Sequence, residues 1–145
     1  MIVPDLNVLL YAVDSSSPRH QAAKAWLEAQ LSGAETFGFS WSVLLGFLRL
    51  STRSSVFGSP LAVEEAFDLV ASWLDQPPVV VLDPTERHLV TMRELLQPLG
   101  TAGNLVTDAH LAALAIEHGA AVASSDRDFA RFSGLRWVDP LSSST

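Results

Sequence analysis

The feature that most constrains the fold is the alternation of short, wholly apolar runs with longer segments of helical spacing. Residues 79–82 (VVVL) and 120–123 (AAVA) contain no polar side chain, which is typical of strands buried on both faces. The segments 61–74 and 105–118, which precede these runs, carry apolar residues at helical spacing. Strands of this kind need helices on both sides of their sheet. The pattern therefore predicts an α/β fold with a central, mostly parallel sheet flanked by helices.

The other elements are predicted from capping and breaking residues. Asn7 is expected to cap a helical turn to residue 12, and Ser16 or Ser17 a helix that ends at Gly33. Ser40 or Ser42 opens the next helix, and Thr85 caps one that reaches residue 99. Strands are also predicted at residues 2–4, 36–39 and, at an edge, 135–138. A chain of 145 residues fits one domain, here residues 1–140, followed by a flexible tail at 141–145.

Charge and composition exclude some classes of protein. There is no cysteine, so disulfides and thiolate metal sites are ruled out. The start lacks the basic region of a signal peptide, and no apolar run approaches the roughly 20 residues of a membrane helix, so we expect a soluble, cytoplasmic protein. Sixteen acids against nine bases give a net charge of −7, whereas nucleic-acid binders are usually basic. Either nucleic acid is not the substrate, or metal ions and a few arginines supply local positive charge.

Four aspartates follow the predicted strands or begin a helix close to them. Asp5 ends the first strand, Asp126 and Asp128 follow residues 120–123, and Asp108 lies near the start of the 105–118 helix. The carboxyl ends of parallel strands meet at one edge of a sheet, so these side chains are expected to converge. Gathered carboxylates would protonate unless a cation held them ionised. Oxygen ligands without His or Cys favour Mg²⁺ or Mn²⁺ over zinc, and such an ion activates water for hydrolysis.

Each aspartate also has a purely structural interpretation. Asp5 and Asp126 are suited to cap the turns that follow them, and Asp108 is favoured by the dipole of its own helix. Independent caps have no reason to follow the strand ends together. The joint placement therefore favours a metal site without excluding the structural roles.

Three segments resemble the PIN-domain family, and specifically the VapC toxins. Residues 2–11 (IVPDLNVLLY) are similar to the D-x-N-x-L opening of these proteins, residues 104–115 (NLVTDAHLAALA) to their third acidic helix, and residues 123–129 (ASSDRDF) to their closing motif. Residues 41–52 (WSVLLGFLRLST) also resemble a subgroup common among mycobacterial VapC proteins. Motif order and length agree across nearly the whole chain.

The resemblance implies a PIN-like α/β/α sandwich and a Mg²⁺- or Mn²⁺-dependent endoribonuclease. It also implies that the chain is the toxin of a type II toxin–antitoxin pair. Such a toxin forms a homodimer and is inhibited by a cognate VapB-type antitoxin. By the same resemblance Asp5 and Asp108 bind the metal, while Asp126 and Asp128 complete the acidic pocket. Ser124 and Asn7 are implied as supporting residues.

One departure concerns a further acid of the family pattern. Many PIN nucleases carry an E-x-x-R sequence on the second long helix; here the arginine matches Arg49, so the glutamate position falls on Gly46. No acid lies between Glu35 and Glu64. The site is therefore expected to hold four acids rather than five and one metal ion rather than two.

Basic and aromatic residues are assigned secondary roles. Arg49, Arg53 and Arg127 are candidate RNA contacts, with ordinary surface positions as the alternative. His110 is interpreted as a packing or surface residue, and the other histidines show no converging pattern. The tryptophans are interpreted as core or interface anchors rather than base-stacking platforms. The helix around residues 44–48 is apolar nearly all round, which predicts burial or an interface that receives an antitoxin helix.

Two other functions remain open at this stage. The absence of an acid at Gly46 and the net charge of −7 suit a catalytically weak binding module. A metal-dependent phosphodiesterase with a non-RNA substrate, such as a phosphatase or DNA nuclease, would use the same acidic chemistry.

Overall fold

The computed structural model describes residues 1–54 and 58–142 and contains one five-stranded sheet in the order β3-β2-β1-β4-β5. Every strand pair is parallel, and helices flank the sheet, which confirms the α/β/α prediction. The strands are β1 (Ile2–Pro4), β2 (Phe37–Phe39), β3 (Val79–Val81), β4 (Ala121–Ala123) and β5 (Trp137–Val138). The helices are α1 (Leu6–Val13), α2 (His20–Leu31), α3 (Trp41–Ser51), α4 (Val63–Leu74), α5 (His88–Leu96) and α6 (Val106–Glu117).

The strand order determines where a site forms. The chain starts at the central strand β1, moves outward through β2 to β3, and then returns to β4 on the other side of β1. In open parallel sheets, ligands bind beyond the carboxyl ends of the strands where the order reverses. Here that point lies between β1 and β4, where Pro4 pairs with Ala123. Asp5 and Ser124 follow these two residues directly.

An aromatic cluster fills one layer of the core. Phe37, Phe39 and Phe47 are fully buried, and the Trp73 side chain is 5% exposed. The Trp73 ring stacks on Phe39 at 6.0 Å between ring centroids and contacts Phe47 at 4.8 Å. These contacts join β2 to α3 and α4, which are distant in sequence, and hold α3 against the sheet.

The prediction that residues 79–82 are buried on both faces was wrong for two of them. Val80 and Val81 are 38% and 37% exposed, because β3 is an edge strand. Only Leu82, which follows the strand, is buried. The apolar run predicted a strand correctly, but a run of apolar residues does not show whether its strand lies at the edge of the sheet.

Several helix starts also differ from the predicted ones. Asp5, rather than Asn7, caps α1, and its carboxylate accepts a hydrogen bond from the Leu6 N–H. The second helix begins only at His20 and has no side-chain cap. Ser17 instead accepts a hydrogen bond from the Arg19 N–H in the turn that precedes the helix. Ser40 caps α3 as predicted.

The helix predicted from Thr85 is shorter and divided. It begins at His88, because Thr85 accepts from the Arg87 N–H in the turn before it. Its α-helical part ends at Leu96, and a 3₁₀ turn that contains Pro98 covers residues 97–99.

A chain of hydrogen bonds joins α5 to α6, and the sequence analysis did not predict it. Glu117, whose side chain is 3% exposed, accepts from the Thr85 N–H at 2.9 Å and from the Thr85 hydroxyl. Its other oxygen accepts from the His88 Nδ1, and the His88 Nε2 shares a hydrogen bond with the His110 Nδ1 at 2.8 Å. These bonds lower the pKa of Glu117 although its burial opposes the shift. Burial also lowers the pKa of His110, with the neighbouring His88 as a second cause.

Replacing Glu117 by Ala is expected to destabilise the fold by about 1–3 kcal/mol, because Thr85 and the partly buried His88 lose a charged hydrogen-bond acceptor. Urea denaturation followed by circular dichroism measures this change. Glu94→Ala removes an exposed acid from α5 and should leave stability within about 0.5 kcal/mol of wild type. Equal midpoints for the two variants would show that the network is not stabilising.

The end of the chain is packed as far as the structure describes it. Leu141 packs against the core, and its N–H donates to the Asp139 carboxylate. The remaining residues of the predicted tail, 143–145, lie outside the described residues. Within the described part of the chain, no helix has the length and apolar character needed to span a membrane.

Candidate functional site

Hydrogen bonds of its backbone N–H and of its carboxylate fix Asp5 at the carboxyl end of β1. Its N–H donates to the Ala123 carbonyl at 2.8 Å, which extends the pairing of β1 with β4. One carboxylate oxygen accepts from the Leu6 N–H at 2.8 Å, and the other accepts from the Ser124 hydroxyl at 2.7 Å. The residue is therefore a helix cap and a site residue at once, so the two interpretations of Asp5 do not exclude each other.

The fully buried Ser124 connects the acidic residues to one another. Its hydroxyl donates to Asp5 and accepts from the Asp126 N–H at 3.0 Å. It also accepts from the Asn7 side-chain amide at 3.4 Å. A hydroxyl has one donor and two acceptor positions, so Ser124 is fully used. Ser124 thus contacts Asp5 and Asp126, and Asn7 contacts Ser124, while the supporting role expected for both residues stays a prediction.

Three carboxylates converge beside this group. Asp108, Asp126 and Asp128 each present an oxygen, and these oxygens lie within 4.8 Å of one another. Asp126 caps the 3₁₀ turn Arg127–Arg131 by accepting from the Asp128 N–H at 2.9 Å. That turn brings two acids of a short segment to the first turn of α6, where Asp108 is located.

The electrostatics of the cluster favour a cation. Burial raises the pKa of Asp108 to about 6, and the nearby negative charges of Asp5, Asp126 and Asp128 add to the effect. Burial also raises the pKa of Asp5, although the Ser124 and Leu6 hydrogen bonds partly offset it. A cation near these oxygens would remove the repulsion that raises both pKa values.

The donor set fits a hard divalent ion. The three clustered side chains offer carboxylate oxygens only, which suits Mg²⁺ or Mn²⁺. The side-chain oxygen of Asn7, whose amide nitrogen donates to Ser124, is buried and has no hydrogen-bond donor among the residues that the structure describes. A buried acceptor without a partner is costly in free energy, and an ordered water of an ion's hydration shell would satisfy it.

The predicted site residues are not all equivalent in the structure. The sequence interpretation paired Asp5 with Asp108 as metal ligands, whereas the group of mutually close carboxylates consists of Asp108, Asp126 and Asp128. Asp5 is oriented by two local hydrogen bonds and interacts with the group through its charge. The three arginines proposed for RNA, Arg49, Arg53 and Arg127, are all exposed.

Gly46 faces Leu6, which occupies the space of the missing side chain. A Cβ atom at Gly46 would lie 2.7 Å from the Leu6 Cδ2, which is inside van der Waals contact. Both residues line a cavity of about 300 Å³ together with Ser42, Leu45, Arg49 and Thr107. The sequence interpretation did not assign Leu6, Ser42 or Thr107 to a site. A signal was present in the helical spacing of Ser42, Leu45, Gly46 and Arg49, which places them on one face of α3.

The raised pKa of Asp108 leads to an expected pH dependence. A cation must displace a proton from Asp108 below about pH 6, so Mn²⁺ affinity should fall by up to about ten-fold per pH unit there and level off above it. The folded state also binds this proton more tightly than the unfolded chain does. The contribution of Asp108 to the stability of the metal-free protein is therefore lost as pH rises from the ordinary carboxyl range through about 6.

Calorimetric titration with Mn²⁺ between about pH 5 and pH 8 measures the affinity. The same titration of Asp108→Asn is the control and should lack the inflection near this pKa. An affinity for the wild type that does not change with pH would contradict the expectation.

Replacing Ser124 by Ala should destabilise the fold by about 1–3 kcal/mol, because the Asp126 N–H and the Asn7 amide lose their common acceptor. Mn²⁺ affinity should fall by about 10–100-fold, since Asp5 and Asp126 lose the group that orients them. Thermal denaturation and calorimetry measure the two effects. Ser124→Thr retains the hydroxyl and should restore affinity, and Ser125→Ala is the matched control. Wild-type affinity in Ser124→Ala would show that this hydroxyl does not organise the site.

The α/β/α fold gathers carboxylates at the switch point of its parallel sheet. The sequence of residues 2–135 matches the family model described as "PIN domain". The structure is similar to that of VapBC2 from Rickettsia felis bound to a promoter DNA fragment, with a TM-score of 0.70 at 20% identity over 95% of this chain and 98% of that chain. VapBC-1 from nontypeable Haemophilus influenzae gives a TM-score of 0.67 at 21% identity over 97% and 98%. Likeness at this identity concerns the fold alone.

The sequence relatives are closer. Ribonuclease VapC37 of Mycobacterium tuberculosis is 49% identical over 140 residues, which are 97% of both chains. Ribonuclease VapC33 of the same species is 46% identical over 141 residues, which are 97% of this chain and 99% of the relative. The chain belongs to the PIN-domain family and, within it, to the VapC proteins, as the sequence motifs indicated.

Proposed function

We propose that the protein is a Mg²⁺- or Mn²⁺-dependent endoribonuclease and the toxin of a VapBC-type type II toxin–antitoxin system. The observation that carries the proposal is the cluster of Asp108, Asp126 and Asp128 beside Asp5 at the switch point of the sheet. Relatives of nearly equal length that are 49% and 46% identical are named ribonucleases. One domain, residues 1–140, contains all of these acids.

The side chains of the chain have distinct parts in this reaction. Asp108, Asp126 and Asp128 would hold one ion through their oxygens, and Asp5, fixed by Ser124 and Leu6, adds a further negative charge close to Asp108. A bound Mg²⁺ or Mn²⁺ supplies Lewis acidity toward a phosphate oxygen and makes a water molecule more acidic. The ionised carboxylates also give an acceptor for the proton of the attacking water. Arg49, Arg53 and Arg127 are proposed to position the RNA through its phosphates.

The partners follow from the same family membership. Two structures of similar fold are those of VapBC2 and VapBC-1, and we propose a cognate VapB-type antitoxin for this chain. A homodimer in the cytoplasm completes the proposal.

The proposal is tested by incubating the purified protein with cellular RNA and mapping 5′ ends by sequencing. Cleavage at discrete sites is expected with Mg²⁺ or Mn²⁺ and none after chelation with EDTA, because the ion would supply the Lewis acidity toward the phosphate oxygen and lower the pKa of the water. Parallel reactions with single-stranded DNA and with a phosphatase substrate separate the alternatives. Cleavage of DNA only, or cleavage unaffected by EDTA, would contradict the proposal.

A second candidate is a catalytically weak binding module. It is favoured by one observation, the Leu6 side chain that fills the position where a fifth acid would project from Gly46. Such a protein would bind RNA or the antitoxin without cutting. Growth inhibition that persists undiminished in Asp108→Asn would favour this candidate over the enzyme.

A further inference from the structure

A small pocket is lined by the sequence neighbours of two of the acids, and no acid in the described part of the chain lines it. Leu6, Ser42, Leu45, Gly46, Arg49 and Thr107 border an open pocket of about 300 Å³ between α1, α3 and the start of α6. Leu6 directly follows Asp5, and Thr107 directly precedes Asp108. A molecule in the pocket would therefore contact the immediate sequence neighbours of two of the acids.

The lining has three chemically different parts. Leu6 lies against Gly46 and forms an apolar floor, because no side chain at position 46 separates it from α3. Hydroxyl groups of Ser42 and Thr107 border this floor, and the Ser42 hydroxyl is held by the Ser40 hydroxyl at 2.7 Å. Arg49 adds a cation at the rim. Within residues 1–54 and 58–142, no carboxylate lies within ion-pair distance of Arg49.

Size and charge decide the class of occupant. The volume is at the lower end of the roughly 300–1,000 Å³ of small-ligand pockets, which suits a single nucleoside better than a protein helix. Unpaired RNA bases are recognised by an apolar surface against the ring face and polar groups at the base edge. An arginine beside such a surface pairs with a phosphate or stacks on the base.

We infer that this pocket binds the base of one nucleotide that flanks the cleaved phosphodiester bond, with Thr107 and Ser42 at the base edge and Arg49 on the adjacent phosphate. The inference rests on the proposed ribonuclease function and deepens it, because it assigns sequence preference to this chain. The base lies on the floor that Leu6 and Gly46 form, and the hydroxyls discriminate among bases.

The test measures base preference rather than rate alone. Short RNAs with randomised nucleotides around the cut are digested with Mn²⁺, and the products are sequenced. Thr107→Val should reduce the preference at the flanking nucleotide by about ten-fold, whereas Arg49→Gln should slow cleavage at every sequence, because a phosphate contact carries no base information. The Mn²⁺ affinity of both variants should equal that of wild type. Matched controls are Thr101→Val and Arg93→Gln, which change exposed residues of another surface and should keep the wild-type preference.

Two outcomes of this experiment overturn the inference. The first is an unchanged base preference in Thr107→Val. The second is a cleavage rate that Thr107→Val reduces equally at every sequence, because a residue at the base edge should affect one base more than the others.

A binding measurement separates the inference from the proposed function. The four nucleoside 5′-monophosphates are titrated into ¹⁵N-labelled Asp108→Asn protein, and backbone amide shifts are recorded. Saturable shifts at Ser42, Gly46 and Thr107, with one base favoured, support the pocket even if the wild type cuts no RNA. Absence of these shifts overturns the pocket even if the wild type cuts RNA as proposed.

Discussion

Asp108→Asn is expected to reduce RNA cleavage by about a hundred-fold or more and, at the same time, to stabilise the metal-free fold. Asn is nearly isosteric with Asp but carries no charge for a cation. The pKa of Asp108 is raised to about 6 by burial and by Asp5, Asp126 and Asp128, so its ionised form is unfavourable in the folded protein at neutral pH. Removing that charge should stabilise the fold by about 1 kcal/mol, because solvent screens a half-exposed group.

The two effects are measured separately, by cleavage of a defined RNA and by thermal denaturation in EDTA. Asp68→Asn, which removes one charge from the exposed side of α4, is the control and should change neither activity nor stability appreciably. Loss of activity combined with loss of stability in Asp108→Asn would indicate a structural role. Retained activity would contradict the assignment of Asp108 to the reaction.

Trp73→Ala is expected to have the largest effect on folding, about 3–5 kcal/mol. The Trp73 ring is 5% exposed and contacts Phe39 and Phe47 at 6.0 and 4.8 Å between centroids. Removal leaves a cavity between β2, α3 and α4 that the rigid aromatic neighbours cannot fill. A loss of this size is a large part of the roughly 5–15 kcal/mol that stabilises an ordinary domain.

Urea denaturation at neutral pH gives the free energy of unfolding for this variant. Trp41→Ala is a matched control, since it makes the same substitution on α3 at a side chain that is 48% exposed. The control should lose much less stability than Trp73→Ala. Comparable losses would mean that burial in the aromatic cluster does not determine the stability of this layer.

The sequence predicted the elements of the site because their placement depends on local rules. Asp5, Asp126 and Asp128 follow apolar runs, and the parallel sheet brings the ends of β1 and β4 to one edge. Strand formation, helix faces and the cap at Ser40 likewise depend on neighbours in sequence. These features could therefore be predicted from the sequence alone.

The features that the sequence missed depend on contacts between distant segments. The exposure of Val80 and Val81 results from the position of β3 at the edge of the sheet, which the apolar run does not encode. The hydrogen bonds among His88, His110 and Glu117 join two helices. The separate orientation of Asp5 depends on Ser124, far away in sequence.

The contact between Leu6 and Gly46 couples these two positions. A glutamate introduced at Gly46 places its Cβ 2.7 Å from the Leu6 Cδ2, so the Leu6 side chain must shift to admit it. That atom is the end of a flexible side chain and can turn away at a small cost in free energy, whereas a smaller residue at position 6 would leave a void as long as Gly46 is retained. The effects of substitutions at the two positions on stability should therefore not be additive, because their side chains share one space.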